Sequence, residues 1–243
     1  MEVKTEGIVI KSVGYKENDK ILTVLTPSGK LTVGAKGVRK ATAKLAFSAQ
    51  PFSFCEYVLH QSADRYTLTG AFLHDGFYEL RLDLLKYYSA SAMAELSDAM
   101  CLSDGDVKEL FIALAEGLKT LSMTDHDAGE TLLTFCLVAL TEGGYMLDLD
   151  GCGKCHGDVK GTGFFDFSKG YFLCKNCGGK VRASEETYEA LRLAAGLEAD
   201  EENAKKGRCR ALRLIKAYLT KKTDSEYPCL SEFIKLYQGE KND

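Results

Sequence analysis

The stretch Asp19-Lys-Ile-Leu-Thr-Val-Leu-Thr-Pro-Ser-Gly-Lys-Leu-Thr-Val-Gly-Ala35 decides the fold of the amino-terminal part of this chain. Two runs rich in Val, Ile, Leu and Thr, 20–26 and 30–36, flank Pro27-Ser28-Gly29. Proline presets φ there and glycine relieves strain, so the segment reads as a β-hairpin. Similar runs at 3–11, 51–60 and 65–73 bring the total to five short strands within the first eighty residues. Five strands joined by loops of unequal length predict a small closed barrel, and the five-stranded OB-fold fits better than an SH3-like barrel. Phe52 and Phe54 alternate along one run and are expected to face the interior. Tyr15 and Phe47 are further rings available nearby.

From about residue 80 the period changes from two to that of a helix. Leu110, Ala113, Leu114, Leu118 and Leu121 form an apolar stripe, with Ser103 or Asp104 as its cap. Further helices are expected over 128–142, stopping at Gly143-Gly144, from Ser184 to Gly196, over 204–222 and over 228–238. The fold class is therefore α+β: an OB-fold barrel over 1–80 followed by a helical domain over 81–243. A glycine-rich insert at 150–180 interrupts the helices.

Composition excludes several classes. The chain of 243 residues is 45% hydrophobic and 27% charged, enough to bury a core. Its longest uncharged runs, 45–55 and 131–141, are too short to cross a bilayer. Charges at Glu2, Lys4, Glu6 and Lys11 leave no room for a secretory segment, so a cytoplasmic protein is expected. Phosphate-cradling, dinucleotide-binding, zinc-protease and nucleophile-elbow motifs are all missing, which disfavours an enzyme.

The insert carries the sharpest local signal. Cys152-Gly-Lys-Cys155 and Cys174-Lys-Asn-Cys177 are separated by eighteen residues. Two residues between thiols let both sulfurs of a knuckle reach one ion at about 2.3 Å, and two knuckles complete a tetrahedron. Glycines 151, 153, 178 and 179 permit the tight turns. Soft thiolates make zinc the expected ion, one structural ion with no open position; an iron–sulfur cluster is the other occupant that four thiolates suit. His156 is expected to be a bystander. Cys55, Cys101, Cys136, Cys209 and Cys229 lack partner spacing.

The net charge of −4 hides a segregation. Residues 20–55 contain Lys20, Lys30, Lys36, Arg39, Lys40 and Lys44 and no acid, and residues 203–223 contain eight cations and no acid. Between them, 75–150 carries fifteen acids against four cations. Lys36, Arg39, Lys40 and Lys44 fall in the connection after the third strand, where barrel loops meet oligonucleotide backbones. At 100° per residue Lys206, Arg210, Arg213, Lys216 and Lys221 share one side of a helix, opposite Ala211, Leu212, Leu214, Ile215, Tyr218 and Leu219. With Lys20, these cations are the candidate DNA-binding residues. The bland alternative is a solvated face pairing with Glu198, Asp200, Glu201 and Glu202.

Several of these segments together resemble the bacterial recombination mediator RecO family. The amino-terminal likeness lies in Glu17-Asn-Asp-Lys-Ile-Leu-Thr-Val-Leu-Thr-Pro-Ser-Gly-Lys-Leu31, Ala35-Lys-Gly-Val-Arg-Lys40 and Gln50-Pro-Phe-Ser-Phe54. Glu142-Gly-Gly-Tyr145 before the first knuckle, Gly170-Tyr-Phe-Leu-Cys174 at the second, and the last helices extend it over nearly the whole chain. Some members lack the cysteines; this chain has all four, which implies bound zinc. Gly34-Ala35 and Ala41-Thr42-Ala43 carry little charge, which implies a weaker loop contact than in more basic relatives.

The resemblance implies a nucleoid-associated, non-enzymatic DNA repair function at gaps and double-strand breaks. Such proteins bind single- and double-stranded DNA and anneal complementary strands. With RecR they help RecA displace single-strand-binding protein, whose acidic tail is expected on a cationic, partly apolar groove of the helical domain. Two other classes compete: a zinc-containing adaptor that grips acidic protein tails without touching DNA, and a zinc hydrolase, which needs an open coordination position.

Overall fold

Thr26 and Gly29 face each other across Pro27-Ser28, and Gly29 takes φ 122°, which closes the hairpin between β2 (Asp19–Thr26) and β3 (Gly29–Ala35). The computed structural model describes residues 1–101 and 107–240. These form two compact units, Met1–Asp125 and His126–Asp243.

In the first unit β1 (Glu2–Tyr15) is long enough to pair with β2 through its second half and with β4 (Phe54–Ser62) through its first. A bulge between Val9 and Lys11 lets it turn from one partner to the other. With β5 (Arg65–Asp75) the strands close in the order β1-β2-β3-β5-β4, the β3–β5 pair being parallel. The expected five-stranded barrel is thus present. Val9, Leu22, Val24, Val33, Cys55, Tyr57 and Leu59 fill it. The Tyr57 hydroxyl donates to the Ser48 carbonyl at 2.8 Å, so its polar end is satisfied inside the core.

Two aromatic expectations are corrected. The strand starts at Phe54, and Phe52 precedes it with φ 68°. Phe52 is buried with its ring 5.7 Å from that of Tyr87 on α1 (Leu84–Met100). Phe54 packs 5.9 Å from Phe111 on α2 (Lys108–Met123). Both rings therefore seal barrel against helix: Phe52 lies before the strand, and within it Cys55, Tyr57 and Leu59 take the inward positions, which leaves Phe54 on the outer face; Phe47 packs on the barrel core itself. On α2 Leu110, Leu114, Leu118 and Leu121 are buried as the stripe requires. The expected caps Ser103 and Asp104 lie outside the described residues.

The second unit begins with α3 (Ala128–Glu142), whose first amides are capped by the Asp127 carboxylate at 2.9 and 3.0 Å. The insert is more ordered than its glycine content suggests. β6 (Asp148–Cys152), β7 (Gly163–Asp166), β8 (Tyr171–Leu173) and β9 (Val181–Ala183) make a small sheet in the order β6-β8-β7-β9. Three helices follow: α4 (Glu185–Ala194), α5 (Glu201–Thr223) and α6 (Pro228–Glu240). Ala211, Leu212, Ile215, Tyr218 and Leu219 of α5 are buried, as the angular reading requires. No helix among the described residues is long and apolar enough to cross a membrane.

Candidate functional site

The two cysteine knuckles sit on the small sheet. Cys152 ends β6 and Cys174 follows β8, and the parallel pairing of these strands brings the knuckles together. Gly151 (φ 121°) and Gly178 (φ 63°) make the turns, whereas a Cβ on Gly153 would strike the Tyr171 ring at 2.4 Å. The sulfurs of Cys152, Cys155, Cys174 and Cys177 all lie within 4.8 Å of one another. Cys155 and Cys174 are 3.7 Å apart, far beyond a disulfide and close to the edge, about 3.8 Å, of a tetrahedron with 2.3 Å metal–sulfur bonds.

The electrostatics fit a cation. Burial opposes charge on Cys152, yet backbone amides of Cys174, Cys155 and Lys154 bring its thiol down to about 6. Hydrogen bonds with the sulfurs of Cys155, Cys152 and Cys174 push Cys177 up to about 12. Four thiols this close cannot all ionise alone, and a dication at their centre removes that conflict. His156 lies outside the cluster; its backbone N–H donates to the Cys152 carbonyl. Burial pushes the thiols of Cys55 and Cys136 up, which makes them inert.

On the barrel, the loop after β3 is pinned to the β1–β2 turn. The Gly37 amide donates to the Asp19 carboxylate at 2.7 Å, the Arg39 amide to the Asn18 carbonyl at 3.0 Å and the Arg39 guanidinium to the Lys16 carbonyl at 3.3 Å. Val38 is buried and anchors the loop. Lys36, Arg39, Lys40 and Lys44 are left exposed. The sequence reading missed their neighbours. Val13 and Ile21 pair across β1 and β2 and stay 50% and 38% exposed, with Tyr15 48% exposed and Lys16 over its ring at 5.3 Å. An alternation running outward from the barrel core would have revealed them.

Lys20 is placed differently. It is half-buried, and its ammonium donates to the Ala49 carbonyl at 2.9 Å, where the Ser12 hydroxyl also donates. Burial and then the nearby Arg39 charge pull its pKa down. Its geometry is that of a brace.

On α5, Lys206, Arg210, Arg213 and Lys221 are exposed and Lys216 is half-buried. Three of these already have partners: Lys206 with Glu202 at 2.6 Å, Arg210 with Glu186 at 3.2 Å, and Arg213 with Gln238. The solvated-face alternative thus accounts for Lys206, while Arg210 finds its acid on α4. Arg208 is buried against Asp127, at 3.2 Å, and Glu130. Arg182 of β9 lines one groove together with Arg210 and Arg213, a neighbour that sequence distance concealed.

A closed five-stranded barrel with a cationic rim and, in the second unit, a small sheet whose two knuckles gather four cysteines define a protein built on an OB-like barrel with a candidate metal site. The family models described as Recombination protein O N terminal and Recombination protein O C terminal match residues 1–77 and 81–227. DNA repair protein RecO of Myxococcus xanthus is 34% identical, over 82% of this chain and 82% of its own. That of Acetivibrio thermocellus is 31% identical, over 78% of this chain and 77% of its own. The chain belongs to the RecO family.

Proposed function

We propose that this protein is a non-catalytic recombination mediator that binds single- and double-stranded DNA and anneals complementary strands. With RecR it helps RecA load on DNA coated by single-strand-binding protein. Holding two strands together requires neutralising two backbones, and two cationic surfaces on one chain supply the charge. Residues 1–80 are the nucleic-acid-binding domain in this reading. Residues 81–243 are the helical domain, with the insert 150–180 stapled by one structural zinc on Cys152, Cys155, Cys174 and Cys177. Lys36, Arg39, Lys40 and Lys44 contact phosphates on the barrel, and Lys206, Arg210, Arg213, Lys216 and Lys221 do so on α5. The acidic tail of single-strand-binding protein docks on the helical domain.

The barrel rim carries this reading. Among the described residues its four exposed loop cations enter no ion pair, and Arg39 bonds the Lys16 carbonyl beside Tyr15, whose half-exposed ring is a face on which a base can stack.

The test is the salt dependence of binding. If about six phosphates of a single strand are neutralised, log affinity falls against log salt with a slope near −4. Replacing Lys36, Arg39, Lys40 and Lys44 by Ala reduces that slope by about 3 and weakens all sequences alike, since backbone contacts carry no base information. Lys20→Ala instead lowers stability by about 1 kcal/mol and leaves the slope unchanged. Affinity indifferent to salt refutes the reading.

A further inference from the structure

Between the edge strand β9 and helix α5 lies a groove of about 430 Å³. Phe167, Val181 and Leu214 make its walls apolar, and Arg182, Arg210 and Arg213 stand around it. Val181 is 43% exposed, and Lys221 lies 5.8 Å from the Phe167 ring centre. Arg210 meets Glu186, whereas Arg182 is exposed and, among the described residues, enters no ion pair. The size matches pockets that hold small molecules, about 300–1,000 Å³, and the charge selects an anion with an apolar part.

We propose that this groove seats one unstacked base of a single DNA strand, with the flanking phosphates on Arg182, Arg210 and Arg213, and so gives the second unit a preference for single strands over duplex. The inference rests on the reading of α5 as a backbone-binding face. Lys206, Arg210 and Arg213 step about 6 and 4.5 Å along the helix axis. A single strand, free of duplex geometry, can set successive phosphates on these cations. An apolar floor with an aromatic ring takes any base by its face. A duplex keeps its bases stacked inside and can offer the groove only phosphates. An acidic peptide with an apolar end has similar chemistry; continuity with the α5 cations favours the strand.

The experiment uses the full chain with Lys36, Arg39, Lys40 and Lys44 replaced by Ala, so that α5 dominates binding. Affinities for a fluorescent single-stranded oligonucleotide and for its duplex are compared across variants with native zinc content and circular dichroism. Phe167→Leu lowers the single-strand affinity about fivefold and leaves duplex affinity and the salt slope unchanged. Val181→Ser, at an exposed position, shifts the same ratio in the same direction and serves if Phe167→Leu unfolds. An oligonucleotide carrying 2-aminopurine changes its fluorescence on binding only where Phe167 is present.

If Arg210→Ala with Arg213→Ala leaves both affinities intact, the α5 reading fails and this inference fails with it. If those changes weaken single strand and duplex alike while Phe167→Leu and Val181→Ser leave the ratio unmoved, the groove assignment alone is overturned. A short polyaspartate peptide ending in phenylalanine that needs Phe167, while the oligonucleotide does not, also overturns it, in favour of a peptide site.

Discussion

Gly207 of α5 runs against the backbone of Glu186 on α4 so closely that a Cβ at 207 would sit 1.7 Å from the Glu186 carbonyl oxygen. The contact lets two helices meet backbone to backbone, and it places Arg210, three residues on, where its guanidinium reaches the Glu186 carboxylate at 3.2 Å.

Gly207→Ala forces the helices apart, because the obstacle is main chain and has no rotamer to yield. A loss of about 3 kcal/mol is expected, at the upper end of overpacking costs. Urea unfolding measures it; an unchanged midpoint would show that the helices are not in this contact.

The Glu186 carboxyl is held below its ordinary 4.5, first by the Ser184 hydroxyl, then by a backbone amide, with Arg210 and Lys206 adding to it. A depressed carboxylate contributes stability that is fully present above the unfolded value and is lost as pH falls through the folded one. The acid limb below about pH 4.5 therefore contains a Glu186 contribution, and Glu186→Gln flattens it while leaving its shape above that pH unchanged. Thermal melts across pH 3–6 test this; parallel curves for both proteins would remove Glu186 from the account.

Arg208 behaves unlike its neighbours on α5. Its buried guanidinium pairs with Asp127 and Glu130, and Asp127 also accepts from the Tyr237 hydroxyl at 2.7 Å, so one network ties α3, α5 and α6. Arg208→Ala leaves these carboxylates without their cation and costs about 3 kcal/mol, the low end for a broken buried pair because Glu130 is partly solvated. Denaturation reads the loss, and the salt slope of DNA binding stays the same. A changed slope with native stability would move Arg208 into the binding face.

Purified protein is expected to hold one zinc, with four sulfurs in its X-ray absorption spectrum. Cys174→Ser or a strong chelator removes the ion and lowers the melting temperature of the second unit, since closing the two knuckles stabilises a sheet whose last two strands have three residues each. Full melting stability after complete metal loss contradicts a structural role.

Much of the fold is legible in the linear chain because its signals are local. Pro27-Ser28-Gly29 sets a hairpin through φ alone, and Leu110, Leu114, Leu118 and Leu121 repeat with the pitch of a helix. The knuckle spacing is equally local, since two intervening residues fix how far apart neighbouring sulfurs fall. Phe52 misled because alternation predicts an inward ring only inside a strand, and the strand begins two residues later. The strands of the insert are too short to show a period.

What the sequence determined, then, was the kind of element in the barrel and the helices, the four clustered cysteines and the gathering of cations along the chain. Tertiary structure alone decided which cations remain available. Lys20 was turned inward to Ala49, Arg208 was buried against Asp127, and Arg182 was carried to the α5 arginines. The reason is physical: torsions and periodicity are set by neighbours in the chain, whereas the partner of a charge is set by which backbone or carboxylate lies within a few ångströms of it in space.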